Sequence, residues 1–355
     1  MRWETVPLGE VVTILSGFAF DSTRFASSGG VPLVRIRDVV PGRSTTYYRG
    51  EYEEKFVVRD GDLLVGMDGE FNRGTWRGGT ALLNQRVCRL TAVPGVLDER
   101  FLFHVLPTVL GAIEKATPYV TVRHLSVKVL SREGIPLPPL PEQRRIAAIL
   151  DEADSLRTSS SHALAVARDA QESLARSAVA DMRRSDGELV RLGDLLKLSS
   201  GKFLPKTAQH EGNVAVFGGN GQNGWHSESM FVEPQLIIGR VGALCGAVHL
   251  TSGPVWVTDN AFIASWDRSR ISANHLAWQL RLANLNQFSA VSGQPSISAA
   301  RIADVMIAIP DAGQQAEFAA RLDALEYHAA GLVKRTETLN ELFASLQHRA
   351  FRGEL

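Results

Sequence analysis

The 355-residue chain predicts an α+β protein: two mixed α/β heads, each followed by a long helix, with the helices packed antiparallel as a coiled coil. Three observations predict this. Residues 135–150 return in worn form at 307–322 without a gap, and a proline-rich hinge precedes a long segment free of Pro and Gly. An apolar seam also steps by four and three along the C-terminal segment. In the repeat Pro138 maps to Pro310, Gln143 to Gln315, Leu150 to Leu322 and Asp151 to Asp323, every pair 172 residues apart. The same offset joins Leu125 to Ile297 upstream and Leu174 to Leu346 downstream. A duplication of this kind fixes the architecture before any local reading does. It makes the chain an internal pseudo-two-fold repeat.

The first head, residues 1–140, carries short β-type runs such as Val31–Ile36, Lys55–Val58, Asp62–Val65 and Gln85–Leu90, punctuated by Gly and Asp. Such runs bounded by turn formers read as strands. A helix is expected over Glu99–Lys115. The prolines at 136, 138, 139 and 141 set an extended approach, and Pro141 suits a helix's first turn, where its missing N–H costs nothing. From Glu142 to Arg184 there is neither Pro nor Gly, a rod of roughly 60 Å at the α-helical rise.

The second head, residues 189–311, repeats the scheme with strands near Val214–Phe217, Gln235–Ile238, Ala247–Leu250 and Pro254–Thr258, and a helix near Asn274–Ala283. Between heads the offset wanders: Leu8-Gly9-Glu10 matches Leu192-Gly193-Asp194 at 184 residues. Surface loops tolerate insertions, so the heads look exchangeable and the helices look length-constrained. In the last segment, Phe318, Leu322, Leu325, Ala329, Leu332, Thr336, Leu339, Phe343, Leu346 and Ala350 form the seam of a coiled coil. The first rod's equivalents are Ile146, Leu150, Ala153, Arg157, Ser160, Leu164, Ala167, Gln171, Leu174 and Ala178, a weaker seam. Gly331 in the second rod suggests a close approach of the helices. One rod leads from the first head to the second and the other leads back, so antiparallel packing follows, with the heads at opposite ends and Met1 near Leu355.

Hydrophobic content of 45% and charged content of 21% are those of a soluble globular protein. No apolar run reaches membrane-spanning length, the first residues lack the apolar core of a signal peptide, and the expected location is the cytoplasm. Cys88 and Cys245 are too few and too far apart for a disulfide scaffold or a cysteine metal site. Net charge is zero, which disfavours tight, independent binding of nucleic acid. Charge is nevertheless uneven. Residues Asn72–Leu97 hold Arg73, Arg77, Arg86 and Arg89 and no acid, and Leu195–His210 hold Lys197, Lys202 and Lys206 and no acid. One such stretch in each head suits a local phosphate-contacting face. Surface charge clustering would look the same.

Catalytic patterns are missing. Ser200-Gly201-Lys202 lacks the flanking residues of a phosphate loop, no His-Glu-x-x-His occurs, and no Asn/Asp-Pro-Pro-aromatic tetrapeptide of an amino-methyltransferase is present. Glu53-Glu54-Lys55 has no Pro-Asp partner that would make it a nuclease motif. No catalytic residue, cofactor or metal is expected.

Four passages carry a family resemblance: Pro136–Ile146; the C-terminal Ser345–Leu355; Asp62–Glu70 with Leu83–Arg86; and Phe217–Gly224 with Ile238–Gly242 and Thr258–Ala261. Together they resemble the specificity (S) subunit of a type I restriction–modification system, over essentially the whole chain. The resemblance implies target recognition domains at 1–140 and 189–311, each reading one half of a split double-stranded DNA sequence. It also implies helical regions at 141–188 and 312–355 that hold the spacing and dock methyltransferase (M) subunits, two being expected. A restriction (R) subunit is left open. The second hinge, Ile309–Gln315, departs from the family's Pro-Leu-x-Glu-Gln. Competing readings are the specificity subunit of another multi-subunit modification system, or a coiled-coil adaptor whose heads bind protein.

Candidate DNA-contacting residues are Arg73, Arg77, Asn84 and Arg86 in the first head and Lys202, Asn220, Gln222, Asn223 and Arg240 in the second. Asn and Gln amides pair with adenine, and Arg pairs with guanine or phosphate. Gly218–Gly224 would bring backbone close to DNA, or be a plain turn. Trp76, Tyr47 and Tyr48 fit either core or sugar–phosphate packing. For the seam and methyltransferase docking the candidates are Glu142, Gln143, Ile146, Leu150, Leu322, Leu325, Leu332 and Leu339. The polar cluster Glu142–Arg145 either ties head to helix or meets the methyltransferase.

Overall fold

A computed structural model describes residues 3–116, 124–184, 188–209, 212–290 and 293–355. Contacts divide the chain into two units, Met1–Ser161 with Arg335–Leu355, and His162–Lys334. Each unit therefore takes one head and a portion of both rods.

In the first unit, four antiparallel strands lie in the order Val12–Ser16, Val87–Ala92, Leu63–Gly66, Arg73–Thr75. The helix Glu99–Ala116 covers this sheet. Its Leu102, Val105, Leu106, Val109 and Ile113, spaced at helical period, join Val65, Cys88 and Leu90 in one core. A second sheet runs Phe25–Ala26, Tyr47–Tyr48, Val31–Val34, Ala81–Leu83, Val57–Val58. There Val31–Val34 and Ala81–Leu83 pair in parallel, and Phe20, Tyr48 and Phe56 fill the small core. The short strands Thr5–Pro7 and Gly134–Pro136 pair antiparallel and close the head at its proline hinge.

The second unit repeats this wiring. Its four-stranded sheet runs Leu196–Ser200, Ala261–Trp266, Leu236–Gly239, Val248–Leu250, with the helix Ala273–Leu282 against it. A smaller sheet pairs Val214–Gly218 in parallel with Val255–Val257 and antiparallel with Gly221–His226. Glu188–Arg191 and Met306–Ile309 close the head. The sequence repeat in the rods is thus also a topological repeat in the heads. Gly218–Gly224 holds the tight turn of a hairpin, and the strand Gly221–His226 that follows it was not expected, hidden by its glycines.

The rods run Leu140–Arg184, 45 residues, and Ala312–Ala350, 39 residues. Within the first unit Ile146, Leu150 and Ala153 share a core with Phe343 and Ala350, so the rods pair there antiparallel. The polar positions of the seam answer one another: Ser160 Oγ lies 2.9 Å from Thr336 Oγ1, and Arg157 stacks over Phe343 at 4.7 Å. Trp3 Nε1 donates to Ala350 O at 3.2 Å, joining the chain's beginning to its end, although Met1 lies outside the described residues. Within the second unit Ala175 packs with Phe318 and Leu322, again antiparallel. All the expected seam residues of both rods are buried or half-buried. Gly331 departs from expectation: it is exposed, and a Cβ there would meet nothing.

Each head is fixed to its rod by one glutamine. Gln143 is fully buried. Its Nε2 donates to Val96 O at 3.0 Å and Pro138 O at 2.8 Å, and its Oε1 accepts from Asp98 N at 2.8 Å. The repeat partner Gln315 donates to Arg270 O at 3.0 Å and Pro310 O at 3.1 Å and accepts from Ser272 N at 2.9 Å. The divergent second hinge compensates for its lost prolines with a capping box. Asp311 accepts from Gln314 N at 2.8 Å while Gln314 Oε1 accepts from Asp311 N at 3.2 Å.

Two stability effects follow. Gln143→Leu removes a fully buried amide together with its bonds to the Asp98 N–H and the Val96 and Pro138 carbonyls, and lowers stability by about 2–4 kcal/mol. Gln315→Leu costs about 1 kcal/mol, because this glutamine is itself only half-buried. Hydrogen exchange at the Asp98 and Ser272 amides reads the difference. Gly331→Ala, with open space around it in a helix interior, raises stability by up to about 1 kcal/mol in denaturant titration.

Candidate nucleic-acid interface

In the first head the turn after Ala81–Leu83 is closed by Val87 N donating to Asn84 O at 2.9 Å, while Asn84 Oδ1 takes the Gln85 N–H at 2.9 Å. This turn projects Arg86. Met67 N donates to Arg86 O at 2.9 Å, which sets Asp68 beside it. Arg86 NH1 lies 3.1 Å from Asp68 Oδ2, and His124 Nδ1 lies 2.6 Å from Asp68 Oδ1. Asn84, Gln85 and Arg86 line an open concavity of about 560 Å³ together with Arg35, Arg37 and Phe20. Arg37 also donates to Thr46 Oγ1 at 2.8 Å, and Arg35 is exposed. Sequence reasoning missed both. Their signal was the alternation Val34-Arg35-Ile36-Arg37, two cations two residues apart at the end of an apolar strand.

Arg73 is a correction. Its Nε donates to Phe103 O and its guanidinium stacks over the Phe103 ring at 3.9 Å. Burial lowers its pKa to about 10, opposed by the nearby Asp154 carboxylate and helped by Arg157 and Arg100. Arg73 thus packs between the head and the first rod. Arg89 is also internal, bonded to Val57 O at 2.8 Å and paired with Asp62 at 3.4 Å. Only Arg77 and Arg86 of the acid-free stretch stay exposed, and Arg77 lies outside the concavity. Trp76 is fully buried with Nε1 donating to Gly79 O at 2.6 Å, and Tyr48 packs on Phe20 at 4.7 Å; both belong to the core.

In the second head several candidates converge. The hairpin turn carries exposed Asn220, and exposed Gln222 and Asn223 follow on its edge strand. Gly221 has φ +96, and a Cβ on Gly219 would strike Val241 O at 2.8 Å and Asn260 O at 2.9 Å. The glycines therefore let this turn press against the chain's own backbone, a reason internal to the head. The crowding brings Asn220 beside Arg240 and Asn260, whose backbones are joined by Arg240 N donating to Asn260 O at 2.9 Å. Arg240 is exposed, stacks over Phe262 at 5.5 Å and reaches Ser200 Oγ at 3.4 Å. Lys202 N donates to Val257 O at 2.9 Å, which holds that exposed lysine beside the end of the strand Val255–Val257.

Equivalent backbone bonds align the two faces. Gly17 N donates to Val87 O as Gly201 N does to Ala261 O, and Met67 N to Arg86 O as Arg240 N to Asn260 O. Asn260 thus occupies the position of Arg86, and Arg240 that of the buried Met67. The heads present a cation from opposite sides of one scaffold.

The seam candidates divide by burial. Gln143, Ile146, Leu150 and Leu322 are buried within the chain and offer no surface to a partner, while Leu325, Leu332 and Leu339 are half-buried. Glu142 pairs with Arg145 at 2.8 Å, which holds its carboxyl below the usual range. Cys88 and Cys245 are free and buried, and burial pushes the Cys88 thiol up to about 12. Among the described residues no three His, Cys, Asp or Glu side chains are grouped to hold a metal ion, and no helix is long and apolar enough to cross a membrane.

The family model for the type I restriction modification DNA specificity domain matches residues 1–165 and again 184–341. The chain belongs to this family. It is similar to the specificity subunit of the type I restriction enzyme EcoprrI of Escherichia coli, 24% identical over 354 residues that span 91% of this chain and 87% of that protein. A stretch of 150 residues, 42% of this chain, is 47% identical to the specificity subunit of type I restriction enzyme EcoBI of Escherichia coli but spans only 32% of that relative's length. Among solved structures, the type I restriction–modification S subunit of M. genitalium superposes with a TM-score of 0.69 at 15% identity, covering 99% of this chain and 96% of that one. A chain from a structure on complex assembly and conformational transition of the type I system gives 0.53 at 18% identity, covering 100% and 98%. Two matches to one domain model agree with the repeated wiring of this specificity-domain chain.

The geometry separates two kinds of arginine. Arg73→Ala lowers the melting temperature by several degrees by removing a desolvated anchor. Arg240→Ala leaves melting unchanged and weakens retention of duplex DNA, read by fluorescence anisotropy at low salt.

Proposed function

We propose that this chain is the sequence-reading, non-catalytic subunit of a type I restriction–modification complex in the cytoplasm. Each head reads one half of a bipartite duplex target, and the rods set the unread spacer and dock methyltransferase subunits, two in the fullest assembly. The single observation that carries this reading is that two heads built on the same four-stranded sheet order present different exposed polar faces while clamped to their rods by the same glutamine bonds. A constant frame with variable faces is what modular reading of two half-sites requires. The division into heads 1–140 and 189–311 and helical regions 141–188 and 312–355 belongs to the same proposal.

Zero net charge suits a subunit that recognises DNA with partners. Non-specific affinity comes mostly from phosphate neutralisation by cations, and this chain has none in excess. The half-buried Leu325, Leu332 and Leu339 and the exposed rod residues Leu156, Val166 and Tyr327 supply apolar surface for a docked subunit.

Exchanging residues 1–135 for the equivalent head of a relative tests the reading. Sequencing methylated DNA from cells that carry the chimera and its methyltransferase should give one altered half-site, with the other half-site and the spacer unchanged. A simultaneous change of both halves would overturn modular reading.

A further inference from the structure

We infer that Arg86, held in place by the Asp68 carboxylate, is the guanine-reading residue of the first head. The inference rests on the function proposed above and names the chemistry of one of its contacts. Arg86 sits at the lip of the open concavity with about half of its side chain exposed (51%), whereas Asp68 beneath it is mostly covered (20%). Arg86 NH1 lies 3.1 Å from Asp68 Oδ2 and 3.4 Å from Oδ1, the oxygen that His124 Nδ1 also meets at 2.6 Å. Bound from both sides and anchored by the Met67–Arg86 backbone bond, the carboxylate cannot swing away. The guanidinium is therefore aimed before any ligand arrives, with its Nε and NH2 donors turned to no other group among the described residues.

Two parallel N–H donors match the O6 and N7 acceptors of guanine in the major groove, the commonest specific contact made by arginine. Phosphate is the competing ligand, and the geometry argues against it. A phosphate contact gains from net positive charge, and Asp68 cancels that charge and repels a phosphate oxygen. What the carboxylate leaves intact is direction, which a base edge needs and a diffuse anion does not. Exposed Arg35 lines the same concavity without an ion-pair partner among the described residues, and it has the character of a phosphate contact. The second head supports the assignment by contrast. There Asn260 stands at the position of Arg86, and no carboxylate buttresses Arg240 among the described residues, its contacts being Phe262 and Ser200. The two half-sites should therefore place their guanine-dependent positions differently. Asp68 is a positioning residue, and Arg86 is the specificity-determining one.

The test uses the full chain with its methyltransferase partner and a random-sequence duplex library. The wild-type complex first defines the preferred site. Each guanine in the first half-site is then replaced by 7-deazaguanine, which lacks the N7 acceptor. One replacement should weaken wild-type binding by about 10- to 100-fold and leave Arg86→Ala indifferent. Asp68→Asn, which keeps the shape but loosens the buttress, should relax preference at that same position while the rest of the site is kept. Arg35→Ala should weaken all sequences alike and reduce the slope of log affinity against log salt by about one. The inference is overturned if Arg86→Ala shows that uniform, salt-linked loss instead, or if no guanine in the first half-site is sensitive to 7-deaza replacement. If the wild-type complex enriches no sequence, the functional reading itself falls and this inference with it.

Discussion

Gln143 and Gln315 hold the frame on which everything else is built. A glutamine amide has two donors and one acceptor oxygen, and at each junction both donors and the oxygen meet backbone groups. The three partners come from different places: the proline hinge five residues upstream and two carbonyl or amide groups at the start of the head's own helix. One side chain thereby fixes the angle at which head, hinge and rod meet. A hydrophobic residue would fill the same volume without choosing among angles, because apolar packing is not directional. The bonds are directional, and burial of Gln143 makes leaving them unmade expensive. The first junction adds apolar packing of Ile146, Leu150 and Ala153 on the head core and polar contacts: Arg100 and His104 both on Asp151, Gln347 on the His104 carbonyl, Arg73 on Phe103. These contacts tighten a joint whose geometry the glutamine defines.

With the joint fixed, the heads are free to differ where they face outward. Both keep the strand order of the four-stranded sheet and the parallel pairing under the turn that carries Arg86 or Asn260, while the second sheet has five strands in one head and three in the other. At that turn the difference lies in side chains at matched backbone positions. Met67 in one head faces the core and Arg240 in the other faces solvent, an exchange that leaves the bond to the neighbouring turn intact. Glycine at 219 serves this economy of backbone, letting the hairpin turn of the second head come within contact of two neighbouring carbonyls. Variation of the face therefore disturbs neither sheet nor junction.

The chain's electrostatics follow the same division. The acid-free stretch Asn72–Leu97 holds four arginines, yet Arg73 and Arg89 turn inward and bind carbonyls. Charge density along the sequence thus overstates charge on the surface. Of those four only Arg77 and Arg86 reach solvent, and Arg86, paired with Asp68, shares its concavity with Arg35 and with Arg37, which lies 3.8 Å from Asp38.

The repeat, the rods and their seam were legible in the sequence, because helical periodicity is local and a duplicated segment retains its spacing. Pro141 and the run without Pro or Gly marked the first rod, and the step of four and three picked residues that are all withdrawn from solvent. The helices expected near Glu99–Lys115 and Asn274–Ala283 are found at Glu99–Ala116 and Ala273–Leu282. The strand Gly221–His226 was hidden, since glycine weakens strand propensity and only pairing with Val214–Gly218 makes it a strand. Gly331 misled in the opposite sense, a glycine whose freedom nothing in the structure uses. Among the candidate site residues, the sequence alone determined which side chains offer donors and acceptors suited to DNA; Arg86, Arg240, Asn220, Gln222 and Asn223 are exposed and Asn84 is half-buried. Only the tertiary structure decided that Arg73 belongs to a junction, that Gln143 is a clamp, and that Arg35 and Arg37 join Arg86 around one concavity. The reason is physical: donor and acceptor capacity is a property of a residue, but which partner it meets depends on contacts made between segments far apart in the chain.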